Sequence, residues 1–232
     1  MLHINCECEH YHKLHWLTMK TKHIPSETIG RLFPYLRVLM CLKKEGEEIA
    51  SSYRLSEICN IKPSIIRKDL SYFGDFGIRG VGYDVDNLIK KIRGILNLDN
   101  ARKVALVGVG NIGKALLSYS NFELEGFKIV IAFDNRQDKI GNKINNIAVE
   151  DMANLEDKIR SENIQLVILA VPEEAAPPIA QRLARAGVNS ILSFAPCQLT
   201  RPDNINISCV DLSTEMARLV YLSSGENITG KP

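Results

Sequence analysis

Residues 108–113 read Gly-Val-Gly-Asn-Ile-Gly and stand between an apolar run at 103–107 and a stretch with helical character at 114–120. Three glycines at that spacing act together. Gly108 allows a tight turn, Gly110 lets the backbone approach a pyrophosphate, and Gly113 lets the following helix pack on the preceding strand. The amides that open the helix then face negative charge. The motif is weak alone, but the strand before it, the helix after it and a further strand at 127–133 supply the context it needs. That further strand ends at Asp134, 21 residues past Gly113. A carboxylate there accepts hydrogen bonds from ribose hydroxyls and repels a 2′-phosphate, which favours NAD(H) over NADP(H). Arg136 is a nearby cation that weakens the exclusion, and a plain strand-end turn is the alternative role for Asp134.

Hydride chemistry needs a proton donor or acceptor beside the nicotinamide. No histidine follows His23, and none of the seven tyrosines has a lysine four residues later. Lys114 and the carboxylates are the remaining candidates for a dehydrogenase. The strand ends at Val171–Pro172 and Phe194–Ala195–Pro196 fall where a cofactor lies in an open parallel sheet. They read equally as nicotinamide-pocket walls and as residues that end strands and fill core.

A second chemistry stands upstream. On a helix at 63–73, Ile66, Leu70 and Phe73 share one side, and Ser64, Arg67, Lys68, Ser71 and Tyr72 share the other. Two cations, two hydroxyls and a phenol suit phosphate oxygens and base edges in a major groove; an ordinary solvated face is the alternative. Residues 74–83 interleave Gly74, Gly77, Gly80 and Gly82 with Phe76, Ile78, Val81 and Tyr83. That pattern is a tight hairpin with Arg79 near its tip, and an arginine on a thin loop can enter a minor groove.

The elements that position these groups follow from periodicity. Ser26 is a candidate cap for a helix with Ile29, Leu32, Phe33, Leu36, Leu39 and Met40 on one stripe; at Pro34 it kinks or a second helix starts. A short helix around 55–59, a turn at 60–62 and the helix from Pro63 give helix-turn-helix order, and the hairpin makes it a winged helix. Val85, Leu88, Ile89, Ile92 and Ile95 form the stripe of a helix leading to a connection at 96–103. Beyond it, helices at 150–160 and 173–186 alternate with strands at 165–171, 189–195 and 207–210, which implies a doubly wound parallel sheet. The organisation is an extension at 1–23, a winged-helix domain at 24–98, a Rossmann domain at 99–211 and a terminal helix and tail at 212–232. Leu212, Met216, Leu219 and Val220 give that last helix an apolar stripe for its own domain or a partner subunit.

The totals agree with a globular protein: 232 residues, 45% hydrophobic and 24% charged. No apolar run reaches membrane-spanning length and no signal peptide is evident, so a cytoplasmic location is expected. Residues 24–98 carry 12 Lys and Arg against 9 Asp and Glu, and residues 99–232 carry 14 against 16. A basic front and an acidic back are consistent with nucleic acid at the front alone. The six cysteines are read as reduced and mostly buried thiols. Residues 1–23 hold all five histidines with Cys6 and Cys8, but the spacing suits no metal site; Met19 is a plausible alternative start.

The motifs RKDLSYFG, RGVGY, GVGNIG and FAP, in this order from about Ile24 onward, resemble the Rex family of redox-sensing transcriptional repressors. The resemblance implies a winged helix, a Rossmann domain and a C-terminal helix swapped between the subunits of a homodimer. It further implies binding to palindromic operator DNA, and release when NADH rather than NAD+ is bound. By position it puts Arg67, Lys68, Ser71 and Tyr72 on the recognition helix and Arg79 in the wing. Gly108, Val109, Gly110, Asn111, Ile112, Gly113 and Asp134 hold the dinucleotide in this reading, and Arg37, Tyr119 and Asp211 form a relay. The first 18 or so residues have no counterpart in the family. Ile65 stands where a polar residue is usual, and Ser193 where asparagine is common. A dehydrogenase and a nucleotide-binding regulator that does not bind DNA are the rival readings.

Overall fold

The computed structural model describes residues 24–195 and 205–223. The chain divides between Asp99 and Asn100 into two compact units.

The first unit opens with α1, Ser26–Lys44, a single helix with Pro34 inside it. The expected cap at Ser26 is not made. Pro25 holds the cap position with no side-chain bond, and its carbonyl accepts from the Thr28 and Ile29 amides. Proline 34 removes one bond to the Gly30 carbonyl. Both residues lie on the exposed face, where leaving that carbonyl unbonded within the helix costs little because solvent can reach it, and the helix continues. The opposite face buries Leu32, Tyr35, Leu36, Leu39 and Leu42; the sequence stripe lacked Tyr35 and Leu42 and included Ile29, which is exposed, and Phe33 and Met40, which are half-buried.

Strand β1 (Ile49–Ala50) follows, then α2, Ser52–Cys59, whose first turn is capped by the Ser51 hydroxyl accepting from the Arg54 amide at 3.0 Å. Asn60, at φ 53°, turns the chain into α3, Pro63–Ser71, with proline at its start. Ile66, Leu70 and Phe73 are buried as the wheel requires. Strands β2 (Gly77–Ile78) and β3 (Gly82–Asp84) form the hairpin, with Arg79, Gly80 and Val81 at its turn. The sheet order is β1-β3-β2. Gly82 is required: its φ is +126°, and a Cβ would stand 2.7 Å from the Ala50 carbonyl oxygen. Helix α4, Val85–Ile95, capped by Asp84, buries Val85, Leu88 and Ile92.

The second unit is a seven-stranded sheet. Its strands are β4 (Arg102–Val107), β5 (Phe127–Asp134), β6 (Lys143–Ile144), β7 (Ile147–Asp151), β8 (Leu166–Leu169), β9 (Ser190–Ser193) and β10 (Asn206–Cys209). The order is β10-β9-β8-β4-β5-β7-β6; all pairs are parallel except β6 with β7. The helices are α5 (Asn111–Leu117), α6 (Asn121–Leu124), α7 (Leu155–Ser161), α8 (Ala176–Arg185) and α9 (Leu212–Ser223). Ala105 and Val107 of β4 join one core with Leu155, Ile159, Ala180 and Leu183, while Val104 and Leu106 join another with Leu117. That alternation is the mark of a doubly wound sheet covered on both faces. The helix expected at 150–160 begins later, because Glu150 and Asp151 belong to β7.

Cys41 and Cys209 are exposed and Cys59 is half-buried, which corrects the expectation of mostly buried thiols. Cys6, Cys8, Cys197 and the whole of residues 1–23 lie outside the described residues. Among the described residues no helix is long and apolar enough to cross a membrane, and no group of side chains could hold a metal ion.

Candidate functional site

In the second unit the sheet order reverses between β4 and β8, and the glycine turn sits at that switch point. Gly108 has φ +94°, and a Cβ on it would collide with the Ala170 carbonyl at the end of β8. A Cβ on Gly113 would collide with the Gly108 carbonyl. Both glycines are demanded by the protein itself. Gly110 is different: a Cβ there would meet nothing within 4 Å, and its φ of −80° is open to any residue. The space above Gly110 is kept by no packing of the chain, and it faces the start of α5, where no side chain caps the first-turn amides. Exposed Asn111 and Ile112 flank it. This cradle fits a pyrophosphate, which needs close backbone approach and free amides.

Asp134 is buried, 6% exposed. It accepts from the Val109 amide at 2.8 Å, from the Arg136 amide at 3.0 Å and from the Lys139 ammonium at 2.8 Å. Burial opposes its charge, but the lysine and the two amides outweigh burial and hold its pKa below the ordinary carboxylate value. Asp134 therefore stays anionic and ties the end of β5 to the glycine turn. The Arg136 side chain turns away to pair with Asp138 at 2.7 Å; the cation beside Asp134 is Lys139. Sequence reading missed Lys139, whose signal is only its place in the turn five residues on.

Val171 and Pro172 follow β8, and Phe194 and Ala195 follow β9, so the four share the sheet's carboxyl edge. Val171 and Phe194 are half-buried, Pro172 is exposed and Ala195 is buried; Pro196 lies outside the described residues. Ser193 is fully buried and its hydroxyl accepts from the Ala195 amide at 3.2 Å. Tyr119 is 46% exposed; its ring meets Phe122 edge-on at 4.9 Å, and its hydroxyl accepts from Asn121 at 3.3 Å. Asp211 accepts from the Ser213 and Thr214 amides and from the Thr214 hydroxyl at 2.7 Å, capping α9. Among the described residues no hydrogen bond joins Tyr119 to Asp211.

In the first unit Arg37 lies on α1, exposed, with its guanidinium 5.0 Å from the centre of the Phe33 ring. Helix α3 exposes Ser64, Arg67, Lys68 and Ser71, with Tyr72 half-buried at its end. The Ser71 hydroxyl donates back to the Lys68 carbonyl at 2.7 Å. Arg79 is exposed at the hairpin turn. A cleft of about 660 Å³ separates helix from hairpin, lined among others by Ser52, Tyr53, Arg67, Ser71, Arg79 and Tyr83. Burial pushes the Tyr83 phenol up while the nearby Arg67 charge pulls the other way.

Behind α3 lies a joint that the sequence reading overlooked. Asp69, 1% exposed, accepts from Arg31 through Nε at 2.6 Å and Nη2 at 2.8 Å, from the Tyr35 hydroxyl at 2.7 Å and from the Thr28 hydroxyl at 2.9 Å. Burial opposes its charge, and the bonds from Arg31, Tyr35 and Thr28 outweigh it, so the pKa falls. Burial and this carboxylate together push the Tyr35 phenol up. On the helical wheel Asp69 lies about 60° from Ile66, inside the buried sector, and that position was the available signal.

A helix-turn-helix with a wing, and a Rossmann sheet with an open phosphate cradle, together define a regulator class in which one unit reads DNA and the other a dinucleotide. Residues 99–197 match a family described as CoA binding domain, and residues 23–71 match one described as putative DNA-binding protein N-terminus. The redox-sensing transcriptional repressor Rex of Solidesulfovibrio magneticus is 44% identical over 193 residues, covering 83% of this chain and 88% of that protein. A crystal structure of RSP in complex with β-NAD+ and operator DNA is similar at a TM-score of 0.81 and 36% identity, over 88% of this chain and 94% of that one. RSP in complex with β-NADH is similar at 0.78 and 34%, over 88% and 96%. The chain belongs to the Rex family of redox-sensing transcriptional repressors.

Proposed function

We propose that this chain represses transcription by holding a palindromic operator as a homodimer, and that it lets go when NADH, not NAD+, fills the Rossmann site. The observation that carries the reading is the pairing, in one chain, of a cationic recognition face with a glycine cradle left open at Gly110. A relative 36% identical over 88% of the chain, solved with both β-NAD+ and operator DNA, supports it. Ser64, Arg67, Lys68, Ser71 and Tyr72 contact the major groove and Arg79 the minor groove. The cradle of Gly108, Val109, Gly110, Asn111, Ile112 and Gly113 holds the pyrophosphate, and anionic Asp134 takes ribose hydroxyls. A carboxylate at that edge suits free hydroxyls better than the phosphorylated ribose of coenzyme A.

The ring of NADH is neutral and that of NAD+ is cationic, and this difference is what the bound dinucleotide supplies. Val171, Pro172, Phe194 and Ala195 wall an apolar pocket that penalises an unpaired charge; Pro196, expected beside them, lies outside the described residues. The two subunits then shift the spacing of their recognition helices, whose half-sites lie about 34–36 Å apart or at multiples of that. Near-complete switching requires about 5.5 kcal/mol of differential affinity for the two states. Arg37, Tyr119 and Asp211 relay the change by exchanging partners; Asp211 starts from its capping bonds to Ser213 and Thr214. The protein acts in the cytoplasm as a regulator rather than an enzyme, a reading supported by the Rossmann unit's lack of both a histidine and a Tyr-x-x-x-Lys pair, which leaves only Lys114 and the carboxylates to move a proton. Gel-shift binding to a palindromic duplex, with NADH and NAD+ titrated separately, tests the reading. Release at lower NADH than NAD+ is the expected result; equal retention with either nucleotide at saturation overturns it.

A further inference from the structure

Arg67 is the one cation of the recognition face that the fold holds in place. Its Nη1 donates to the Ser52 hydroxyl at 2.7 Å, and its guanidinium carbon lies 5.9 Å from the centre of the Tyr53 ring, within cation–π range. Both partners come from α2, not from α3. Ser52 is buried, 8% exposed, and is not the helix cap; Ser51 does that work. Tyr53 is 66% exposed, so its ring is not held there by core packing.

We propose that Ser52 and Tyr53 are positioning residues that fix Arg67 for bidentate pairing with one guanine in each half-site. The inference rests on the DNA-binding function proposed above. An exposed arginine samples many rotamers, and their loss on binding lowers affinity and blurs which base is read. Ser52 takes one of the five guanidinium N–H groups and the Tyr53 ring takes a face. The Nε and Nη2 edge is left to donate to O6 and N7 of guanine, the pairing that arginine geometry favours. A pinned guanidinium reads a base, whereas a loose one settles for phosphate.

The test uses the full-length chain. A palindromic duplex is enriched from a randomised pool by the wild-type chain, and a set of duplexes carries each half-site base pair changed singly. Binding is measured over a salt series for wild type, Tyr53→Ala, Tyr53→Phe and Ser52→Ala, with thermal melting as the control for folding. Loss of an exposed cation–π contact is worth about threefold per half-site and about tenfold for two. Tyr53→Ala is therefore expected to lower affinity about tenfold for the enriched duplex and to flatten discrimination at one guanine position per half-site. The slope of log affinity against log salt stays unchanged, because no phosphate contact is lost. Tyr53→Phe keeps the wild-type profile, and Ser52→Ala loses discrimination at the same position. The proposal is overturned if Tyr53→Ala leaves the discrimination profile intact. It is overturned equally if Tyr53→Ala weakens all duplexes alike with a salt slope reduced by about one, which makes Arg67 a phosphate contact, or if Tyr53→Phe is as impaired as Tyr53→Ala, which makes the Tyr53 hydroxyl itself the DNA contact. If wild type enriches no duplex at all, the DNA-binding function falls and this inference with it, an outcome distinct from the rest.

Discussion

Three glycines of one motif do different work, and a single methyl group separates them. At Gly108 and Gly113 a Cβ strikes backbone carbonyls, and at Gly108 φ is also positive. At Gly110 a Cβ strikes nothing within 4 Å. Alanine at 113 therefore disrupts the packing of α5 on β4. Gly110→Ala is tolerated by the fold, and it even reduces the conformational freedom of the unfolded chain. The methyl intrudes only where a pyrophosphate must come against the backbone. Gly110→Ala is expected to melt within about 2 °C of wild type while NADH affinity falls tenfold or more, read by nucleotide fluorescence titration; this order of effect is that of one lost close contact plus lost amide bonds. A drop in melting temperature with unchanged NADH affinity contradicts the assignment of the cradle.

The joint at Asp69 ties element to element, α1 to the recognition helix α3. Its carboxylate takes four hydrogen bonds while 1% exposed. Removing one partner of such a cluster leaves the others desolvated and unpaired and costs about 3–5 kcal/mol, a large share of the stability of a small unit. Asp69→Ala is expected to speed amide exchange in residues 26–44 and 63–71 and to leave β4 and β8 unchanged. The pH dependence has a definite sign. The folded pKa of Asp69 is lowered, so its stabilisation is complete above the unfolded value, about 3.9, and is lost as pH falls toward the folded value. Exchange protection of α1 and α3 in wild type declines over that acid range, and in Asp69→Ala this contribution is already missing. Legibility in the sequence divides along the same lines. The buried faces of α3 and α4 were readable because one period governs each, and β4, β5, β8 and β9 because each is a short apolar run set between helices. The β6–β7 hairpin was not: β6 is two residues long, and its turn residues Asn145 and Asn146, both at positive φ, offered a turn signal inside a stretch too polar to mark a strand. The wheel marked Asp69 as buried but not what it bonds, and the partnerships of Ser52 and Lys139 were hidden for the same reason. Their partners lie on other elements or across a turn, and no local pattern records a tertiary hydrogen bond.

At the scale of the whole molecule the proposed dimer rests on the terminal helix. All of α9 is exposed, with Leu212 at 61%, Met216 at 60%, Leu219 at 58%, Val220 at 68% and Leu222 at 62%. A 12-residue helix is marginal in water by itself, and an apolar stripe of this kind needs a cover. In the dimer proposed above a second copy of the chain supplies one, and a self-complementary two-fold contact matches a palindromic operator. Dimerisation then makes the second half-site contact intramolecular, which raises avidity by about 10²–10⁴ over a single contact. Replacing Met216 and Leu219 together by glutamate places two charges in the proposed interface, while both side chains lie exposed on the single chain. The expected product is a folded monomer in sedimentation velocity, with operator affinity reduced at least a hundredfold and a single half-site bound as weakly as by wild type. A double variant that remains dimeric moves the interface elsewhere on the chain. One that becomes monomeric and still holds the palindrome at wild-type affinity removes the two-headed reading of DNA, and with it any release mechanism based on half-site spacing.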